Sequence, residues 1–168
     1  MEYAYHLKLV EPGGSGFRDV TGLAQSVTWS GDARQIARTL SAGLAVPRDG
    51  SVEAPNLAEG VALILEQAGK VRFTGQLTQC STSSQTVVAD LSALDGGRFL
   101  AGNEGFYRFD NVTPEAAVAA MCRDFGILTG TLAPTGISVR RKFPGVALDK
   151  IVTTLYTLAG EQTGKRYL

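Results

Sequence analysis

The stretch Gly102–Ile127, GNEGFYRFDNVTPEAAVAAMCRDFGI, carries a short aromatic strand through a turn into an amphipathic helix, and the reading of the chain starts there. Gly105, Phe106, Tyr107, Arg108 and Phe109 alternate and supply three aromatics, which suits a half-buried pleated strand. Asp110 and Asn111 break it. Thr113 is placed to cap the next helix through its hydroxyl, Pro114 has the φ wanted at the first helical position, and Glu115 sets negative charge at the positive end of the helix dipole. Val118, Met121, Cys122 and Phe125 follow at i, i+3, i+4 and i+7, an apolar face that Gly126 ends.

Outward toward the C-terminus, Ile137–Phe143 is predicted as a strand and Ala147–Gly160 as a second amphipathic helix. Leu148, Ile151, Val152, Leu155, Leu158 and Ala159 form its apolar face. Residues 96–168 therefore read as a small α+β domain, strand-helix-strand-helix, with Asp95–Arg98 as the hinge before it.

Residues 1–95 read differently. Tyr3–Leu9 alternates as a strand, the Glu11–Gly16 turn ends it, and Phe17–Val20 and Ser26–Ser30 are further extended pieces. Trp29, the only tryptophan, shares a face with Val27 and is expected to fill a core or plug a barrel end. Arg38–Val46 alternates, and Pro47–Asn56 is a hydrophilic surface excursion with Asp49 and Gly50 at a tight turn. Val61–Glu66 and Val71–Leu77 form a hairpin over the loop Gln67–Lys70, with Gly75 at a bulge or a close backbone approach. Thr78–Ser84 is a polar strand extending past the core, and Thr86–Leu94 returns. Short strands with turns at this spacing predict a small antiparallel β-barrel, so the fold class is α+β: a barrel followed by a two-helix α+β domain.

Sixteen basic and sixteen acidic residues cancel, so no global charge draws the chain to nucleic acid or an anionic membrane. The last 32 residues carry +4, from Arg140, Arg141, Lys142, Lys150, Lys165 and Arg166 against Asp149 and Glu161, a distribution that suits docking on a protein surface. No signal peptide and no membrane-spanning run is read, so a soluble protein made in the cytoplasm is expected. Cys80 and Cys122 lie 42 positions apart without a CxxC motif and are expected to be reduced thiols.

Catalytic chemistry finds no support. His6 has no nucleophile signature to serve, and one histidine with two distant cysteines builds no usual zinc site. Glu104, Asp110, Glu115 and Asp124 could pair as glycosidase carboxylates, yet Glu115 belongs to the helix start, Asp110 to the turn, and Asp124 faces solvent. The glycines form neither a P-loop nor a dinucleotide fingerprint, and Arg140–Lys142 reads as a solvated strand face. The expectation is no catalytic residue, no metal and no cofactor. What remains is surface, the working part of a structural subunit.

The order of Gly105–Phe109, Asn111–Glu115 and Asp124–Ile127 resembles the baseplate hub proteins of phage tails, those of PBSX-type prophages and contractile tail-like bacteriocins in particular. Asp19–Leu23 and Ser26–Gly31 resemble the opening of that family, and Leu155–Ala159 with Gln162–Lys165 and Tyr167 its second helix. Trp29, Phe106, Phe109, Thr113, Pro114, Glu115 and Phe125 are the structural motif residues on this reading. The resemblance implies a ring, trimeric or hexameric, that joins the tail tube to the central spike in a virion or tail-like particle. Family members carry a second barrel after the helical unit, and this sequence ends at Leu168 where its first strand would begin, so the likeness is to the N-terminal half. A cell-wall or carbohydrate-binding module is the alternative, and a peptidoglycan hydrolase follows it.

Overall fold

The computed structural model describes residues 4–10, 16–32, 35–46, 53–82 and 87–167. The chain divides into two compact units, Met1–Asp32 with Ala37–Gly96, and Ala33–Ile36 with Gly97–Leu168. Among the described residues antiparallel strands dominate, with three α-helices in the second unit.

In the first unit the strands are β1 (Tyr5–Val10), β2 (Phe17–Asp19), β3 (Ala24–Ser30), β4 (Thr39–Ala45), β5 (Ala62–Gln67), β6 (Lys70–Thr82) and β7 (Val88–Asp95). They form one sheet in the order β2-β1-β5-β6-β7-β4-β3, antiparallel throughout. Strict alternation puts Leu7, Leu9, Leu40, Ala42, Leu44, Leu63, Leu65, Phe73, Leu77, Ala89, Leu91 and Ala93 on one face, and all are buried. A flat sheet would leave that face wet. The connectivity shows why it is dry.

β2 and β3 stand at opposite ends of the order, yet only Val20–Leu23 separates them, most of it one 3-10 turn (Thr21–Leu23). Six interstrand spacings of a flat sheet would measure about 29 Å, whereas the chain from Asp19 to Ala24 reaches at most about 18 Å. The sheet must therefore roll. Because every pairing is antiparallel, β2 and β3 also run the same way, so together they act as one bent strand that serves β1 first and β4 afterwards. The sequence predicts a closed barrel; among the described residues no β2–β3 ladder closes it, and the chain itself spans the seam.

Polar contacts hold that link. The Val20 amide donates to the Leu7 carbonyl at 2.8 Å, the Leu7 amide to Thr21 Oγ1 at 2.8 Å, and the Thr21 amide to Asp19 Oδ1 at 2.9 Å. At the β5–β6 hairpin the two turn residues, Ala68 and Gly69, have φ of 50° and 69°, the left-handed pair that tightens the expected four-residue loop to two. Gly75 marks a close approach: a Cβ there would lie 2.5 Å from the Leu94 carbonyl oxygen. The bulges fall instead between Leu65 and Glu66 and between Leu77 and Gln79. Beyond the bulged Thr78, Gln79–Thr82 stays within the ladder, paired with β7. The turns expected at Glu11–Gly16 and around Asp49–Gly50 lie largely or wholly outside the described residues.

The second unit comprises α1 (Gly97–Ala101), β8 (Glu104–Val112), α2 (Pro114–Asp124), β9 (Val139–Ala147) and α3 (Leu148–Thr163). The stretch read as a hinge leads straight into α1, which the sequence reading missed and whose Leu100 is buried. β8 and β9 make a two-stranded antiparallel sheet, and Phe109, Val139 and Phe143 on its inner face pack with Val118, Met121, Cys122, Leu148, Ile151 and Leu155 of the helices. A lone hairpin is marginal in water, and this helical layer is what stabilises it. α3 runs past the expected stop at Gly160 to Gly164, whose φ of 68° supplies the left-handed cap.

Leu63→Ala should lower unfolding free energy by about 2–5 kcal/mol, because the side chain is fully buried. Val71→Ala, 58% exposed on the next strand, should change it by less than about 0.5 kcal/mol. Urea denaturation followed by circular dichroism measures both.

Candidate functional site

The local structure around α2 follows from its first turn. Thr113 Oγ1 accepts the Ala116 amide hydrogen at 3.4 Å, Pro114 opens the helix, and Glu115 reaches outward to a loop. Glu115 Oε2 accepts from the Thr135 hydroxyl at 2.9 Å and from the Thr135 amide at 3.3 Å. Burial pushes the Glu115 carboxyl up, but hydrogen bonds from its own amide, from Thr135 and from Thr113 outweigh it and hold the group below its ordinary value. Glu115 is thus an ionised tether and a poor proton donor.

Two of the other candidate carboxylates, Asp124 and Asp110, are also committed. Asp124 Oδ2 accepts the Tyr107 hydroxyl hydrogen at 2.9 Å, and burial together with that carboxylate pushes Tyr107 up to about 12. Asp110 is bound by Arg140 at 2.6 Å and lies 3.9 Å from Arg108. Glu104 is exposed at the start of β8. In the first unit His6 Nδ1 lies 3.1 Å from Asp19 Oδ2, and the Thr21 hydroxyl donates to the same carboxylate. Burial raises Asp19, and the bonds from Thr21 and His6 bring it below the usual carboxylate range. The trio has the residue types of a hydrolytic triad, but the Thr21 oxygen already accepts the Leu7 amide hydrogen and fixes the sheet's bent strand. Among the described residues no His, Cys, Asp and Glu group could hold a metal. Cys80 and Cys122 are free thiols, both pushed up by burial.

The arrangement therefore offers surfaces. On the outer face of the first unit two cross-strand rows of small polar residues cross β3, β4, β7 and β6: Ser26, Gly43, Asp90 and Ser81, then Thr28, Ser41, Ser92 and Gln79. They line a shallow depression that has no aromatic side chain on which a sugar ring could stack. The neighbouring edge strand, β3, is paired among the described residues only with β4 and carries neither charge nor proline, the devices that usually blunt an edge. On the second unit the outer face of β8–β9 presents Phe106, Arg108, Arg140 and Lys142.

The sequence-derived motif residues distribute over these features without converging. Trp29, expected as a plug, is 43% exposed on β3 with the Arg38 guanidinium 5.7 Å from its ring centre. Phe106, placed in a half-buried strand, is 84% exposed, because the helices cover only the face that Phe109 occupies. Phe125 is not the last residue of the apolar face. α2 ends at Asp124, and Phe125 sits at its C-cap, 38% exposed. Thr113, Pro114 and Glu115 form the helix start. The Glu115–Thr135 tie escaped sequence reading, since no spacing signals a contact between a helix and a loop 20 residues on.

A family model described as YQBQ-like matches residues 27–168, running through both units. The chain belongs to the YQBQ-like family. It is similar to the phage-like element PBSX protein XkdQ of Bacillus subtilis strain 168, with 26% identity over 152 residues that cover 86% of this chain and 44% of the relative. The uncharacterized protein YqbQ of the same strain is 24% identical over 152 residues, again 86% and 44%. The chain thus spans less than half the length of these curated relatives. Among solved structures, the 43 kDa tail protein of prophage MuSo2 from Shewanella oneidensis superposes with a TM-score of 0.67 at 17% identity, over 93% of this chain and 49% of that one; this likeness shows the fold. The resemblance to PBSX-type phage tail proteins read from the sequence is upheld by these matches.

The family match includes the Glu115–Thr135 tether, which is testable by pH. Glu115 is depressed in the folded state, so its contribution is full above the ordinary value of 4.5 and is lost as pH falls through the lower folded value. Glu115→Gln should lower the urea midpoint at pH 7, and the gap from wild type should close on acidification below that range.

Proposed function

We propose that this chain is a structural subunit of a phage or phage-like tail, and within it a baseplate hub subunit that adapts the tail tube to the central spike. The observation that carries the reading is the YQBQ-like match through residues 27–168, supported by relatives whose names place them in a phage-like element and in a prophage tail. In this reading residues 1–95 are the ring domain, a barrel closed by the bent strand β2–β3, and residues 96–168 are the α+β domain. Copies of the chain make a trimeric or hexameric ring. Tube and spike proteins of the same particle are its partners, and the baseplate of the virion or tail-like particle is its place.

The chemistry of the surfaces is consistent with an adaptor. The carboxylates Asp110, Glu115 and Asp124 are engaged in tertiary contacts, and the exposed features are an unblunted strand edge, a small-residue polar face and a cationic hairpin. Such features suit protein neighbours and give no support to a hydrolytic centre.

Quantitative mass spectrometry of purified tail particles tests the proposal. Three or six copies per particle, counted against the tube subunit, are expected; absence from intact particles overturns it. Clearing of peptidoglycan by the purified chain, abolished in Glu104→Gln, would replace it with a hydrolase.

A further inference from the structure

The outer face of the β8–β9 hairpin combines an exposed aromatic with cations that the fold does not neutralise. Phe106 is 84% exposed, and its ring lies against Gly145, where an added Cβ would stand 3.1 Å from Phe106 Cζ. The ring is thus seated and pre-positioned. Beside it Arg108 and Lys142 are direct cross-strand partners, a like-charge pair that destabilises a sheet in isolation. One carboxylate, Asp110, serves the face. It bonds Arg140 at 2.6 Å and stands 3.9 Å from Arg108, while Lys142 has no carboxylate partner among the described residues. An aromatic anchor among arginines is the composition of an interface centre, and its partner must be anionic.

The chain itself holds such a partner. The second unit has ten Lys and Arg against six Asp and Glu, a formal +4, whereas the first has six against ten, a formal −4. Net neutrality conceals two oppositely charged modules. We infer that the Phe106–Arg108–Lys142 face docks on the acidic first unit of a second copy of this chain, a head-to-tail contact. Such a contact uses different surfaces on its two sides and closes into a ring when the rotation permits. It rests on the ring reading above and adds to it the surface and the physical force that join the copies.

Sedimentation velocity on the 168-residue chain tests it. Concentration-dependent association is expected, weakening several-fold as salt rises from about 0.05 to about 0.5 M. The double substitution Arg108→Glu with Lys142→Glu should weaken association by about tenfold or more, and Phe106→Ala by a similar factor. All three positions are exposed, so circular dichroism spectra should match wild type, and a mixture of wild-type and charge-reversed chains should still form a capped dimer through the intact first unit of the variant. Wild-type-like association of the variants, or a monomer at every concentration, overturns the inference. So does duplex DNA binding that the same substitutions abolish while self-association stays as in wild type. In tails, the charge-reversed chain entering at the wild-type copy number defeats this inference and leaves the hub reading standing; a wild-type chain missing from particles defeats the hub reading itself.

Discussion

The first unit depends on one constraint of reach: Val20–Leu23 must join the two ends of a seven-strand order. A chain that short forces the sheet to roll, and rolling is what covers the leucines of β1, β4, β5 and β6. The polar group at the link, Asp19 with Thr21 and His6, fixes the bend by hydrogen-bonding to the backbone it turns. The trio acts as a clasp on the bent strand. Its position explains why polar atoms stand so near an otherwise apolar core without leaving a buried side-chain donor or acceptor unsatisfied among the described residues.

The second unit solves a different problem. A two-stranded sheet cannot bury itself, so α2 and α3 cover one face, with Met121, Ile151 and Leu155 fully buried against Phe109 and Phe143. The Glu115–Thr135 tether then ties the N-terminus of α2 to the loop preceding β9. Only one face of the hairpin can be covered by this layer. The remaining face keeps Phe106 and the like-charge pair in solvent, which sets it apart from the rest of the unit's surface.

Membership in the YQBQ-like family is shown over residues 27–168, and the two units of the chain differ in the surfaces they offer. The two units carry opposite formal charges, −4 on the first and +4 on the second, and unlike modules attract where like ones repel. The β3 edge and the small polar rows add a second kind of surface on the first unit, one that a backbone can approach closely.

Local chemistry made much of this legible in the residues alone. Period-two alternation marked most of the strands and named the core face, Thr113-Pro114-Glu115 marked the start of α2, and the i, i+3, i+4 pattern marked the buried stripe of α3. These are short-range signals, and each is written within a few residues. The α1 helix escaped because five residues carry too little periodicity, and Gly160 was mistaken for a stop because only the fold shows the left-handed cap at Gly164. Whether Phe106 or Phe109 faced the helices was beyond sequence reading, since both are aromatic and the answer lies in which face α2 and α3 cover. Strand order, the rolled sheet, the Glu115–Thr135 tether and the gathering of cations beside Phe106 were likewise decided by tertiary structure. The sequence by itself determined most of the elements, most of the residues that must be buried and the basic character of the last 32 residues. Only the fold decided which surfaces remain, because that depends on contacts between residues far apart in the chain.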